Sequence, residues 1–322
     1  MVERQSTISK SILQTLIYSD IFDYPLSGDE LWKFLISKKI DKESFEGLLK
    51  NNLSEKVNFR NNLYCLSGRE RIIKTRIARK KESQKKVVVA KKIIKQLSFL
   101  PTIQFIGISG ALSLENSERD DDIDLFVIVS KSSLWLTRLS MIILLLLMGK
   151  YRRRNQKEVS DKICLNMLID DGALSFPTSR QNLYTAHEIM QLMPIFERNN
   201  MYKKFMMAND WIKKYLPNAF NRGTTLNRTS RQTRLGTSDV PGTSLTVPLN
   251  HAETIFSVFL SASWRILRFS ALEHFAKVLQ LFFIKKHVTT ETISDGFLAF
   301  HPLDYKNIIL VEYKKRLQRY EI

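Results

Sequence analysis

The stretch from Phe105 to Val129, FIGISGALSLENSERDDDIDLFVIV, constrains the fold of this chain more than any other. Its pattern predicts an apolar strand, a glycine turn, a short helix, a polar loop and a second apolar strand. Asp122 and Asp124 open the second strand and stand two residues apart. Because alternate residues of a strand point to the same face, we expect both carboxylates to project to one side.

This arrangement of acids and glycine indicates nucleotide chemistry. Two like charges held side by side are costly unless a cation neutralises them, and a hard cation such as Mg²⁺ (or Mn²⁺) prefers oxygen ligands. Upstream, Ser109-Gly110-Ala111 lies at the predicted strand-to-helix turn, where free backbone N–H groups favour anions. Gly110 precedes Asp122 by twelve residues. Phosphates would therefore bind beside a two-carboxylate metal site.

The glycine turn, the spacing and the Asp-Ile-Asp-Leu motif resemble the polymerase-β-like nucleotidyltransferase superfamily, in particular its minimal nucleotidyltransferases. The resemblance covers residues 102–172. It implies a metal-dependent transfer of a nucleoside monophosphate from a nucleoside triphosphate to a hydroxyl acceptor. The residues that match these roles are Ser109, Gly110 and Ala111 at the phosphates and Asp122 and Asp124 at the metal.

Two positions depart from the superfamily pattern. Ala111 stands where a serine is expected after the glycine. The third carboxylate, a metal ligand and base on a later strand, is expected near the centre of the predicted strand Ile163–Ile169, where this chain has Asn166. An amide cannot accept a proton as a carboxylate does. Asp170 and Asp171 lie at the far end of that strand and would reach the centre only with an unusual register.

The substitution by Asn166 keeps a second hypothesis open, that of a catalytically silent regulator that senses nucleotides or associates with nucleic acid. A glycosyltransferase would also use Asp-x-Asp, but it needs a nucleotide-binding α/β fold ahead of the motif. Finally, the acids from Asp120 to Asp124 could form only a solvated turn. We expect Asp120 and Asp121 to belong to such a solvated turn, whereas strand geometry would hold Asp122 and Asp124 together on one face.

The whole chain predicts an α+β fold, with a small mixed β-sheet nucleotidyltransferase core flanked by an N-terminal winged helix and C-terminal helices. The winged helix would comprise three helices and a hairpin that turns at Asn61-Asn62. Six units are expected: a winged-helix-like domain (1–68), a basic helical connector (69–98), the nucleotidyltransferase-like core (99–180), a helical extension (181–220), a flexible linker (221–250) and a C-terminal helical region (251–322).

The formal net charge of +18 is concentrated in part of the chain. Residues 69–95 contain twelve Lys or Arg and two Asp or Glu. This segment is either the solvated face of a helix or a surface that contacts RNA or DNA phosphates. The third helix of the predicted winged helix is rich in acids, which favours a docking role over DNA reading. Besides RNA or DNA, a protein hydroxyl is a candidate acceptor of the transferred nucleoside monophosphate.

No membrane span is favoured by the sequence. The most apolar run, Leu134–Met148, is 15 residues long and contains Arg138, whereas a spanning helix needs about 20 residues. We expect this run to be a buried helix against the sheet.

The N-terminal residues lack the apolar core of a signal peptide, and two separated cysteines indicate no disulfide framework. The cytoplasm is therefore the expected location.

His187 and Glu188 are adjacent polar residues on a predicted helix, Tyr184–Met193. Neighbouring residues of a helix face different directions, so the pair is not expected to act jointly as acid and base. We expect structural capping or hydrogen bonding from them.

Overall fold

The structure is a computed structural model, and it describes residues 2–51, 55–153, 156–220, 270–284, 292–294, 296–300 and 303–322. It confirms the α+β class, with a small mixed β-sheet. The predicted linker, 221–250, lies outside the described residues, as does part of the predicted C-terminal helical region, 251–322.

The N-terminal part has the predicted order of three helices followed by a hairpin. Its elements are α1 (Val2–Asp20), α2 (Gly28–Lys33), α3 (Lys42–Asn51), β1 (Val57–Arg60) and β2 (Leu63–Leu66). Both turn residues of the hairpin have positive φ, 52° at Asn61 and 60° at Asn62. Asparagine tolerates this conformation, which two-residue hairpin turns require. The hairpin predicted from the Asn-Asn pair is thus confirmed.

The remaining elements are helices and the strands of one six-stranded sheet. The helices are α4 (Arg71–Leu97), α5 (Gly110–Ser113), α6 (Leu134–Leu147), α7 (Leu183–Gln191), α8 (Met201–Ala208), α9 (helical residues 270–284) and α10 (Leu303–Arg319). The strands are β3 (Ile103–Ile108), β4 (Ile123–Val129), β5 (Ile163–Asp170), β6 (Met193–Glu197), β7 (Thr292–Ser294) and β8 (Phe297–Ala299).

The sheet has the strand order β6-β3-β4-β5-β8-β7. β4 and β5 are parallel, as expected when α6 connects them, and the other pairs are antiparallel. The predicted strand–helix–strand segment is confirmed as β3, α5 and β4, and its two strands are neighbours in the sheet.

Two clusters of buried apolar side chains cover the two faces of the sheet. On one face, Phe126 and Ile128 of β4 pack with side chains of α1, α7, α8 and α10. On the other face, Leu125 and Val127 pack with side chains of α4, α6 and α9. Because side chains alternate along a strand, Asp122 and Asp124 belong to the face of Phe126, which α7 and α8 cover.

The apolar run around α6 is a helix, as predicted, but only one side of it is buried. Leu134, Met141 and Leu145 are at most 3% exposed, whereas Leu147 is 79% exposed. Arg138 lies inside, with its Nη1 donating to Gln280 Oε1 of α9 at 2.6 Å. Among the described residues, no helix is both long enough and apolar enough to cross a bilayer.

Sequence patterns missed two parts of the sheet. The predicted helix Tyr184–Met193 ends at Gln191, and β6 begins at Met193. Pro194 lies in this edge strand, which is where a sheet tolerates proline. The short hairpin β7–β8 extends the sheet beyond β5 from a region expected to be helical. The predicted helical extension, 181–220, contains α8, which ends at Ala208, and then a 3₁₀ helix, Asp210–Lys214.

Candidate active site

The two aspartates lie at the start of β4, beside the parallel strand β5. Asp124 is opposite Cys164 in the register of the two strands. Each has a partly buried side chain. One carboxylate oxygen of Asp122, one of Asp124 and the Cys164 sulfur lie within 4.8 Å of one another. The strand geometry predicted from the sequence therefore brings both acids together.

The turn that contains Gly110 packs directly against Asp124. Ser109 donates its backbone N–H to the Asp124 carbonyl oxygen at 2.9 Å. Gly110 has a φ of +64°, which side chains rarely allow, and a Cβ added there would lie 2.8 Å from Asp124 Oδ2. The lack of a side chain at position 110 thus lets the turn backbone lie against the carboxylate. Ala111 is exposed at the beginning of α5, which is a single turn long.

The carboxylate pair fits a cation. Arg152 Nη1 forms an ion pair with Asp122 Oδ2 at 2.7 Å, which balances one of the two negative charges. The arginine side chain is 41% exposed, so it has room to move away. Two carboxylates suit Mg²⁺ or Mn²⁺, whereas a thiol does not suit Mg²⁺. Burial, and then the charges of Asp124 and Asp122, raise the pKa of the Cys164 thiol well above its usual range.

Asn166 is brought close to the glycine turn by an irregularity in the sheet. Leu125 pairs with Leu165 and Phe126 with Met167, so Asn166 is the extra residue of a bulge in β5. Its side chain is 3% exposed and its Nδ2 is 3.4 Å from Ser109 Oγ. Its Oδ1 is buried without a hydrogen-bond partner among the described residues.

Asp170 and Asp171 lie at the other end of β5 and serve local structure. Asp170 Oδ1 accepts a hydrogen bond from the backbone N–H of Gly172 at 2.9 Å. Asp171 Oδ1 accepts one from the backbone N–H of Lys131 at 2.8 Å. The unusual register that would bring them to the centre is therefore absent from the described part of β5.

A cavity opens between β5 and α7, next to Ser109 and Asn166. Its volume is about 80 Å³, and about 740 Å³ when the open solvent at its mouth is included. Apolar and aromatic side chains form much of its wall. The polar and charged lining residues are Ser109, Asn166, Arg180, Tyr184, Thr185, Glu188 and Lys306.

Glu188 is the carboxylate of this cavity that the sequence did not single out as functional. It lies on α7, and within the described residues its side chain forms no ion pair or hydrogen bond. Burial, and then the charge of Asp124, raise the pKa of Glu188 to about 7. Its neighbour His187 points elsewhere: it is 4% exposed and stacks on Tyr18 with ring centroids 4.2 Å apart. Burial, and then the charge of Lys33, lower the pKa of His187 to about 3.

The basic segment 69–95 is largely the helix α4, and part of its charge is neutralised internally. Arg76 pairs with Glu30 at 2.8 Å, and Lys86, only 4% exposed, with Asp161 at 3.4 Å. The basic residues that are exposed and form no ion pair within the described part of the chain are Arg71, Lys74, Lys81, Lys91, Lys92 and Lys95.

Comparisons with known proteins place few constraints on this site. No family model matches the chain, and no curated protein matches it. One solved structure that is similar is described as the crystal structure of the toxin-antitoxin with AMP-PNP. It is 16% identical, covers 44% of this chain and 92% of its own, and has a TM-score of 0.25. At that TM-score the likeness supports no conclusion about fold or function.

Proposed function

We propose that the protein is a metal-dependent nucleotidyltransferase that moves a nucleoside monophosphate from a nucleoside triphosphate to a hydroxyl acceptor. The observation that carries this proposal is the contact between the glycine turn and the carboxylate pair. Gly110 brings a turn backbone against Asp124, and Asp122 lies on the same face of β4. A phosphate bound at that turn would lie directly beside the cation held by the two acids.

Each part of the site has a role in this reaction. Asp122 and Asp124 would hold Mg²⁺ or Mn²⁺, which neutralises charge on the transferred phosphoryl group. The Ser109–Ala111 turn would orient the phosphates through the backbone N–H groups of Gly110 and Ala111, because the N–H of Ser109 is bonded to Asp124. The neighbouring cavity, with Arg180 and Lys306 in its wall, would take the remainder of the reactants. Positioning and charge stabilisation supply most of the rate in phosphoryl transfer.

The test is to incubate the purified chain with each of the four nucleoside triphosphates, labelled at the α-phosphate, with Mg²⁺ or Mn²⁺ and with or without cell extract. We expect label on protein, RNA or a small molecule, and we expect chelation of the metal to abolish it. The labelled species identifies the acceptor. An RNA acceptor would agree with the exposed lysine and arginine side chains of α4, which can contact its phosphates. Absence of label with all four nucleotides, both metals and extract would contradict the proposal.

A second candidate function is a nucleotide-sensing regulator without turnover. The observation that favours it is Asn166, which occupies the place of the expected third carboxylate and cannot accept a proton. The sensor would bind a nucleoside triphosphate in a metal-dependent manner and would label no acceptor.

For the sensor, we expect the substitution Asn166→Asp to create measurable transfer, because it adds a carboxylate near Ser109 and the metal-binding pair. The measurement is the same labelling assay, with Asn166→Ala as the matched control that removes the amide and adds no charge. If Asn166→Asp binds nucleotide and still labels nothing, the amide is not the reason for the missing activity.

A further inference from the structure

We propose that Glu188 accepts the proton of the attacking hydroxyl, and that the cavity between β5 and α7 is where the acceptor binds. This inference rests on the proposed function and names the residue that would replace the missing third carboxylate. Glu188 lines the same cavity as Ser109 and Asn166, on the face of the sheet that carries Asp122 and Asp124. The carboxylate thus comes from a helix that covers the sheet.

The transfer reaction needs a group that accepts the proton of the attacking hydroxyl. The acceptor oxygen forms a bond to the α-phosphorus, and the bond from that phosphorus to the bridging oxygen breaks. Pyrophosphate leaves with the electron pair, and the hydroxyl proton passes to the carboxylate of Glu188. Asn166 cannot take this proton, and Asp170 and Asp171 are engaged at the other end of β5.

The surroundings of Glu188 suit this role. A partly buried carboxylate without a hydrogen-bond partner in the described structure is costly, and it aims at the cavity that a ligand would fill. Arg180 and Lys306 line the same cavity from other elements, and burial and the charge of Asp124 both oppose the charged form of Glu188. The raised pKa of about 7 leaves the group able to exchange protons near neutral pH.

The test compares Glu188→Gln with the wild-type chain and with Glu197→Gln, which removes another partly buried carboxylate at the edge strand β6. We expect Glu188→Gln to lower kcat by at least about 100-fold, the usual contribution of a general base. The KM for nucleotide and metal-dependent nucleotide binding should stay unchanged. The loss of wild-type rate toward low pH should disappear from the residual activity. Glu197→Gln should retain the wild-type rate and pH profile.

A second measurement is independent of turnover. Carbodiimide modification followed by peptide mass mapping should label Glu188, and a non-hydrolysable nucleoside triphosphate with Mn²⁺ should slow that labelling without changing it at Glu197. Modification of Glu188 that the nucleotide does not slow would place this residue outside the site and overturn the inference.

The outcomes separate this inference from the proposed function. If Glu188→Gln transfers label at the wild-type rate with the wild-type pH profile, Glu188 is not the proton acceptor, while the nucleotidyltransferase proposal stands. If the wild-type chain transfers no label to any acceptor, the proposed function fails and this inference fails with it.

Discussion

Replacing Asp124 by asparagine is expected to reduce nucleotidyl transfer by about 10³-fold. A bound metal ion contributes several kcal/mol of charge stabilisation in the transition state, and each 1.36 kcal/mol corresponds to a factor of ten. Asp124 lies against the Gly110 turn, so its charge is the one closest to the proposed phosphates. The measurement is the initial rate of label transfer at saturating nucleotide and Mn²⁺.

The control is Asp120→Asn, which removes an exposed carboxylate from the same acidic run. We expect wild-type rates from it. Stability should distinguish the two variants as well. Stabilisation of the wild type by Mn²⁺ with nucleotide should be lost in Asp124→Asn and kept in Asp120→Asn.

Two results would contradict this assignment. Wild-type turnover in Asp124→Asn would show that its carboxylate holds no essential metal. Unfolding temperatures that rise equally with Mn²⁺ and nucleotide in the wild type and in Asp124→Asn would show that this carboxylate does not hold the metal. In that case its position beside the turn would be structural, as for Asp121, whose Oδ2 accepts the backbone N–H of Glu118 at 2.7 Å.

The parts of the fold that the sequence predicted are those that depend on neighbours in the chain. The alternation of Asp122 and Asp124 with apolar residues defined β4 and the face of both acids. The pair Asn61-Asn62 defined the hairpin turn, because few residues adopt positive φ. Gly110 marked a turn for the same reason. In each case the physical requirement concerns a few consecutive residues, so it is visible in the sequence.

The parts that the sequence missed depend on partners that are distant in the chain. The strands β7 and β8 have three residues each and exist because β8 pairs with β5, more than a hundred residues earlier. β6 contains Pro194, which argues against a strand unless an edge position is known. The bulge at Asn166 belongs to the pairing of β5 with β4, and the cavity beside Glu188 lies where β5 and α7 meet. The helical pattern around Glu188 does not show that its side chain lines a cavity.

Replacing Gly110 by alanine is the second large effect expected, and Gly149 provides a matched control. Both glycines have a φ of +64°, so alanine is strained equally at each. That strain should lower the free energy of unfolding by about 1–2 kcal/mol in both variants. The two positions differ in what a Cβ would contact. At Gly149 nothing lies within 4 Å, whereas at Gly110 the added carbon would be 2.8 Å from Asp124 Oδ2.

Alanine at position 110 must therefore displace the Asp124 carboxylate, the turn or both. Misplacement of a reacting group by about 1 Å can cost about 10²-fold in rate, so we expect a loss of that size in Gly110→Ala and an unchanged rate in Gly149→Ala. Denaturant unfolding checks the stability of both variants, and label transfer at a temperature where both are folded checks the rate. Equal rates in the two variants would mean that the turn and Asp124 do not act together, which would remove the observation on which the proposed function rests.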